Sequence, residues 1–243
     1  MNAISLEHTE RVWLNAYLPG VPADIDAGIE AYPSLREVFL EHLDKFRERV
    51  AYVSIGTEMT YADWQVQGIA FAAWLQGQGV QKGDRVALMM PNCLQYPVAM
   101  FGVLRAGYTV VNVNPLYTAR ELEHQLRDAG CEAIVIVENF AHTLQEVAGQ
   151  LTALRHVVVT GLGDMLGFPK SILVNFVVRH VKKMVPPWSL PEAVTFREAL
   201  RQGAAHSLKP VPIIHDDLAY LQYTGGTTGV AKGAMLTHGN IIA

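Results

Sequence analysis

A chain of 243 residues, half apolar and 17% charged, can bury one large core or two modest ones. Its net charge of −4 at pH 7 leaves no surplus of Lys and Arg to displace phosphate counterions, which excludes general nucleic-acid binding. The two cysteines, Cys93 and Cys131, form no CxxC pair, so neither a disulfide framework nor a zinc site is indicated. The opening stretch MNAISLEHTE lacks the basic start and apolar run of a secretory leader. No apolar run reaches the roughly 18 residues that span a bilayer. A reducing cytoplasm is therefore the expected compartment.

In chain order, the turn-rich lead-in LPGVPADID is followed by Ser34 and Glu37, which predict a capping box for a helix running to about Glu48. VAYVSI reads as a strand and Gly56-Thr57 as a turn, after which Thr60 caps a helix ending near Gly77 or Gly79. From there strands and helices alternate. RVALMM is a strand, Cys93 to Ala106 a helix stopped by Gly107, and TVVNV a strand. Thr118 and Glu121 cap a helix that Gly130 closes, AIVIV is a strand, His142 to Leu151 is helical, and HVVVT is again a strand. Strands this continuously apolar are covered on both faces, and their alternation with helices gives parallel pairing through right-handed crossovers. The expectation is a doubly wound α/β unit over residues 80–160.

Residues 165–191 contain no acidic side chain. Within them, KSILVNFVVRHVKKM places Ser171, Asn175, Arg179 and Lys182 on one helical stripe, with Ile172, Leu173, Phe176, Val177 and Val181 on the other faces. Two readings follow: an amphipathic helix lying in a membrane interface, or a core helix with a solvated basic edge.

The strongest chemical signal is TGGTTGVAKG, Thr224 to Gly233, entered from the strand candidate DDLAYLQY. Glycine costs nothing at positive φ, so Gly225, Gly226 and Gly229 would let successive N–H groups turn toward one anion. Thr224, Thr227 and Thr228 add hydroxyls for phosphate oxygens or Mg²⁺, and Lys232 adds a compact cation. The set suits a polyphosphate. It is not a Walker A loop, because Lys232 follows Ala231 and precedes Gly233. TGLGDMLG after HVVVT has Leu166 in the third-glycine place and no clean helix after it, so it is no dinucleotide fingerprint. His215, Asp216 and Asp217 are adjacent on an extended chain and point apart, which favours a turn or strand lead-in over a metal cluster. His238 has two readings, a substrate contact or a structural role at a helix start. Cys93 and Cys131 read as small core residues, and no GxSxG elbow supports a hydrolase.

YTGGTTGVAKG resembles the phosphate loop of the acyl-adenylate-forming enzymes, with Ala231 where that group usually has Pro. The stretch from TYADWQ to CEAIV is similar to the same family's N-terminal region throughout. The Val-Ala-Lys variant and the insertion FPKSILVNFVVRHVKKMVP look like its bacterial long-chain fatty acid–CoA ligases. The resemblance implies ATP, Mg²⁺ and coenzyme A as co-substrates and cofactors. A fatty acid would be activated as acyl-AMP and then transferred to the coenzyme A thiol. It places Thr224, Gly225, Gly226, Thr227, Thr228, Gly229 and Lys232 on the β- and γ-phosphates, with Thr224 as the magnesium contact.

The same resemblance divides the chain into 1–79, contributing to a second subdomain; 80–205, the α/β subdomain; and 206–243, opening that second subdomain. The strand ending at Tyr223 and the one after Lys232 would then start an incomplete second sheet. Such enzymes are about twice this length, so the chain is expected to be the front part of one, inactive by itself, with its catalytic residues beyond Ala243. Exposed edges would favour a homodimer, exchange of elements between copies, or disorder around residues 160–210, and residues 170–184 would give peripheral contact with the cytoplasmic membrane. The readings kept beside this are a non-catalytic nucleotide- or membrane-binding module on the same scaffold, and a ligase for medium-chain or aryl acids.

Overall fold

The computed structural model describes residues 11–24, 30–224 and 231–243. A short 3-10 turn at Val12–Ala16 leads in. The N-terminal elements are α1 (Leu35–Lys45), the antiparallel hairpin β1 (Val50–Ser54) and β2 (Thr57–Thr60), and α2 (Tyr61–Gly77). Alternation follows: β3 (Arg85–Met89), α3 (Gln95–Arg105), β4 (Thr109–Asn112), α4 (Ala119–Ala129), β5 (Cys131–Val137), α5 (Ala141–Val147) and β6 (His156–Thr160). The remainder is α6 (Lys170–Phe176), continued as a π-helical turn over Val177–Val181, then β7 (Val194–Thr195), α7 (Phe196–Gly203), β8 (Leu218–Thr224), β9 (Lys232–Thr237) and α8 (His238–Ile242).

One seven-stranded sheet runs β7-β6-β5-β3-β4-β8-β9, parallel except for the β8–β9 hairpin. Successive strand residues point to opposite faces, and β3 shows the result. Val86 and Leu88 pack with Trp64, Phe71, Trp74, Phe101 and Phe196 from α2, α3 and α7. Ala87 and Met89 pack with Leu122, Leu126 and Leu144 from α4 and α5. Burial on both sides is why these strands read as unbroken apolar runs. On the first face α2 approaches α7 closely enough that a Cβ on Gly203 would meet the Ala70 carbonyl oxygen.

The caps explain most boundaries. Thr60 with Asp63, and Thr118 with Glu121, form full capping boxes, and Gly130 ends α4 in the left-handed conformation at φ 62°. Ser34 does cap α1, accepting from Arg36 N, but the Glu37 carboxylate accepts from the Ser34 hydroxyl rather than from the backbone, and the helix ends at Lys45, before Glu48. Reading the sequence missed β2, β7 and α7, although Thr195 and Glu198 carry the cap signature that starts α7.

Two expectations are corrected. β8 and β9 do not begin a second sheet: β8 pairs in parallel with β4, with Val110 opposite Tyr220 and Asn112 opposite Gln222. The Thr109 hydroxyl, at the start of β4, donates to the Leu218 carbonyl. The stripe Ser171-Asn175-Arg179-Lys182 is a solvated edge only toward its end, where Lys182 is exposed. Ser171 is buried, Asn175 bridges Gly163 N and Asp164 at 2.7 and 2.8 Å, and the Arg179 guanidinium grips the buried Glu138 carboxylate at 2.7–2.9 Å. The polar side of this helix holds it to the protein while Ile172, Leu173 and Phe176 face outward.

Candidate functional site

Thr224 is the last residue of β8 and Lys232 the first of β9, and the two are cross-strand partners. They close the base of a hairpin at the carboxyl end of β8, beside β4, at the outer end of the sheet. Both side chains are exposed, and among the described residues Lys232 has no ion-pair partner. Gly225, Gly226, Thr227, Thr228 and Gly229 lie outside the described residues.

The hairpin base is anchored from below. The Tyr223 hydroxyl donates to Asp128 of α4 at 2.5 Å, and burial together with that carboxylate pushes the phenol's pKa up. Gly233 stands opposite Tyr223, and a Cβ there would lie 2.9 Å from the ring. The glycine after the lysine is thus required by close approach of the tyrosine, whatever the loop binds. A polar ladder continues along the same edge: Tyr96 donates to Asn112 at 2.9 Å, and Asn112 donates to Gln222 at 3.0 Å. The sequence signal for these residues was there, since Asn112 and Gln222 interrupt otherwise apolar strands.

Other candidates resolve into structure. Asp217 caps the turn at Ile214 N and pairs with Lys82 at 2.7 Å; burial would raise this carboxyl, but Lys82 and the turn amide hold it below its usual value. His215 bonds the Tyr32 carbonyl at 2.6 Å. These contacts make 214–217 a strand lead-in. His238 is almost fully buried, and its Nδ1 accepts from Leu35 N at 3.2 Å, satisfying an amide at the open end of α1. Burial lowers its pKa to about 4. That is the structural role, not the substrate contact. Thr237 and Asn240 form the capping box of α8 together. Both cysteines are buried, and burial pushes the Cys131 thiol up to about 12.

Residues 39–243 match the model of the AMP-binding enzyme family. The chain belongs to the AMP-binding enzyme family. It is 54% identical over 235 residues to a long-chain-fatty-acid–CoA ligase of Escherichia coli O157:H7, a match covering 96% of this chain and 41% of the relative. The ligase of the same name from Haemophilus influenzae is 53% identical over 234 residues, and that from Bacillus subtilis 35% over 237, each again matched over 41% of its length. The chain therefore spans about two-fifths of these curated relatives. Among solved structures, an anthranilate CoA ligase bound to anthranoyl-AMP superposes with a TM-score of 0.70 at 20% identity, covering 87% of this chain and 36% of the other. At that identity the likeness establishes the AMP-binding fold alone. No helix among the described residues is long and apolar enough to cross a membrane.

Proposed function

We propose that this chain is the N-terminal, phosphate-gripping part of an AMP-forming long-chain fatty acid–CoA ligase of the cytoplasm. The observation that carries the reading is the pairing of Thr224 with Lys232 at the carboxyl edge of the sheet, a hydroxyl and an ammonium flanking a loop of glycine and threonine. Lys232 and the loop amides would neutralise the β- and γ-phosphates of ATP. The fatty carboxylate would attack the α-phosphorus while the bond to pyrophosphate breaks, and the coenzyme A thiolate would then displace AMP from the acyl carbon. The chain's share of that chemistry is charge neutralisation and positioning. Thr224, an exposed hydroxyl at the strand end, would give magnesium one hard oxygen contact, and the positive charge held there would favour departure of pyrophosphate.

The same proposal lets further strands of the longer enzyme pair along the open edge of β9. That edge is also where two copies of the isolated chain would pair, since it offers unsatisfied backbone groups. Peripheral contact with a lipid surface through residues 170–184 belongs to this reading.

The test is product analysis of the longer enzyme that carries these 243 residues at its front. With ATP, coenzyme A and palmitate, acyl-CoA, AMP and pyrophosphate are expected in equal amounts, and more slowly with octanoate or benzoate. Formation of ADP, or AMP release that ignores the fatty acid, would contradict the reading. The 243-residue chain alone is expected to release no pyrophosphate.

A further inference from the structure

Arg105, the last residue of α3, carries a charge that the fold leaves unanswered. The side chain is half-buried and its Nε is closed off from water without an acceptor. Among the described residues no carboxylate lies within ion-pair distance of the guanidinium. Burial, followed by the neighbouring charge of Arg36, lowers its pKa, while Glu37 acts the other way. The helix end does not need this cation. The carbonyls of Gly102, Val103 and Leu104 accept from the backbone amides of Ala106, Tyr108 and Gly107. An arginine held in this way is costly without a partner, and a bound anion would relieve it.

The guanidinium lines an open groove of about 420 Å³ between α1, α3 and residues 210–212. Helix α3 returns from the carboxyl end of β3 to the amino end of β4. The groove therefore lies at the opposite edge of the sheet from the Thr224–Lys232 pair. Its walls are fixed before any ligand arrives. The Gln76 side chain exchanges two hydrogen bonds with the Lys209 backbone, at 2.9 and 3.0 Å. Val211 packs so closely that a Cβ on Gly107 would stand 3.1 Å from its Cγ1. Arg36 donates to the Val211 carbonyl at 2.5 Å and to Glu37 at 2.6 Å, so the second cation of the groove is already engaged.

Charge and shape select the ligand. Arg36 and Glu37 cancel, and the groove keeps the single positive charge of Arg105. A guanidinium fork matches the two oxygens of a carboxylate. Pro210 and Pro212 have no N–H to offer the further oxygens of a phosphate. With Leu40 they give an apolar wall to an alkyl chain instead. We propose that Arg105 binds a carboxylate on an aliphatic stem in this groove, its fork on the two oxygens and the stem against Leu40 and the two prolines. Two sources offer that chemistry: a free aliphatic acid, and a glutamate side chain of a longer protein that carries these 243 residues. The proposal rests on neither the phosphate loop nor the ligase reading, and it stands or falls without them.

The experiment follows the proton–nitrogen correlation signal of the Arg105 Nε–H, assigned as the one missing from Arg105→Lys, during titration with hexanoate. In the 243-residue chain millimolar hexanoate should move this signal to saturation, while uncharged hexanol leaves it in place. Broadening of the hexanoate resonances reports affinity, which Arg105→Gln should weaken by about tenfold or more and Arg105→Lys by a smaller factor. Should Arg105→Gln lose its fold by circular dichroism, Arg105→Lys carries the comparison. In the longer protein, a signal that hexanoate still moves identifies a free acid as the occupant. A signal already at the hexanoate-bound position, and no longer moved, identifies a carboxylate of the protein itself. An Arg105 signal in the 243-residue chain that hexanoate does not move, or that hexanol moves equally, would overturn the proposal. So would hexanoate binding unchanged by Arg105→Gln, or a larger movement with inorganic phosphate than with hexanoate at equal concentration.

Discussion

Arg179→Met in the 243-residue chain is expected to lower the unfolding free energy by about 3 kcal/mol, the low end of the range for removing one partner of a buried ion pair. Glu138 follows β5 directly and is only 3% exposed, so its carboxylate depends on the guanidinium that donates to both oxygens. The same hydrogen bonds, ahead of the burial that opposes them, raise the arginine's own pKa. The Arg179 side chain is about half exposed, so water can partly replace it; hence the low end. Glu138→Gln combined with Arg179→Met should recover most of the loss, because no buried charge is then left alone. Urea unfolding of the two single variants and the double variant supplies the cycle. A single Arg179→Met variant within about 0.5 kcal/mol of the parent, the range of ordinary surface changes, would show that the pair does not hold the helix down.

Acidification from about pH 7 to pH 5 is expected to remove about 2 kcal/mol of stability through His238. The ring is buried among Asp217 and Glu37, which favour its charged form, and Arg36 and His215, which oppose it; burial dominates and the folded-state pKa falls to about 4. An unfolded histidine titrates near 6.5. The unfolded state therefore takes up the proton first. Stability is complete above about pH 6.5 and declines as pH falls toward 4. The geometry agrees, since a ring that accepts from Leu35 N through Nδ1 must be neutral. Asn at this position keeps an acceptor and cannot titrate, so His238→Asn should lose clearly less stability than the parent over the same interval, the remaining loss coming from groups such as His156, whose pKa burial also lowers. Parallel declines in parent and variant would assign the acid sensitivity elsewhere. The carboxyls of Glu37 and Asp217, held low in the fold, contribute only at lower pH.

How much of this was legible depends on sequence distance. Thr118-Glu121, Thr60 and Gly130 sit within one turn of the ends they define, and the strands announce double-sided burial by their composition alone. Thr195-Glu198 was equally legible and was overlooked. The pairing of β4 with β8 was not, because periodicity marks a strand without naming its neighbour, and Thr109 meets Leu218 across 109 residues. The orientation of α6 was hidden for the same reason. A helical repeat separates a polar from an apolar face, and only the distant carboxylate of Glu138 decides which one turns inward. Likewise the composition of the glycine-threonine stretch marks a candidate phosphate loop, while nothing nearby in sequence marks the supports of its flanking strands. Tyr223 finds Asp128 across 95 residues, and His238 finds Leu35 across 203.

The central claim is that the Thr224–Lys232 hairpin holds the polyphosphate of ATP. Its most direct test is pyrophosphate exchange by the longer enzyme bearing Lys232→Ala, alone and with Thr224→Val, set beside thioester formation from supplied acyl-AMP. Exchange should fall about a hundredfold, the scale of losing one preorganised charge on a reacting oxyanion, while the thioester step, which involves no β- or γ-phosphate, changes little. Exchange at the parent rate in the double variant would contradict the account.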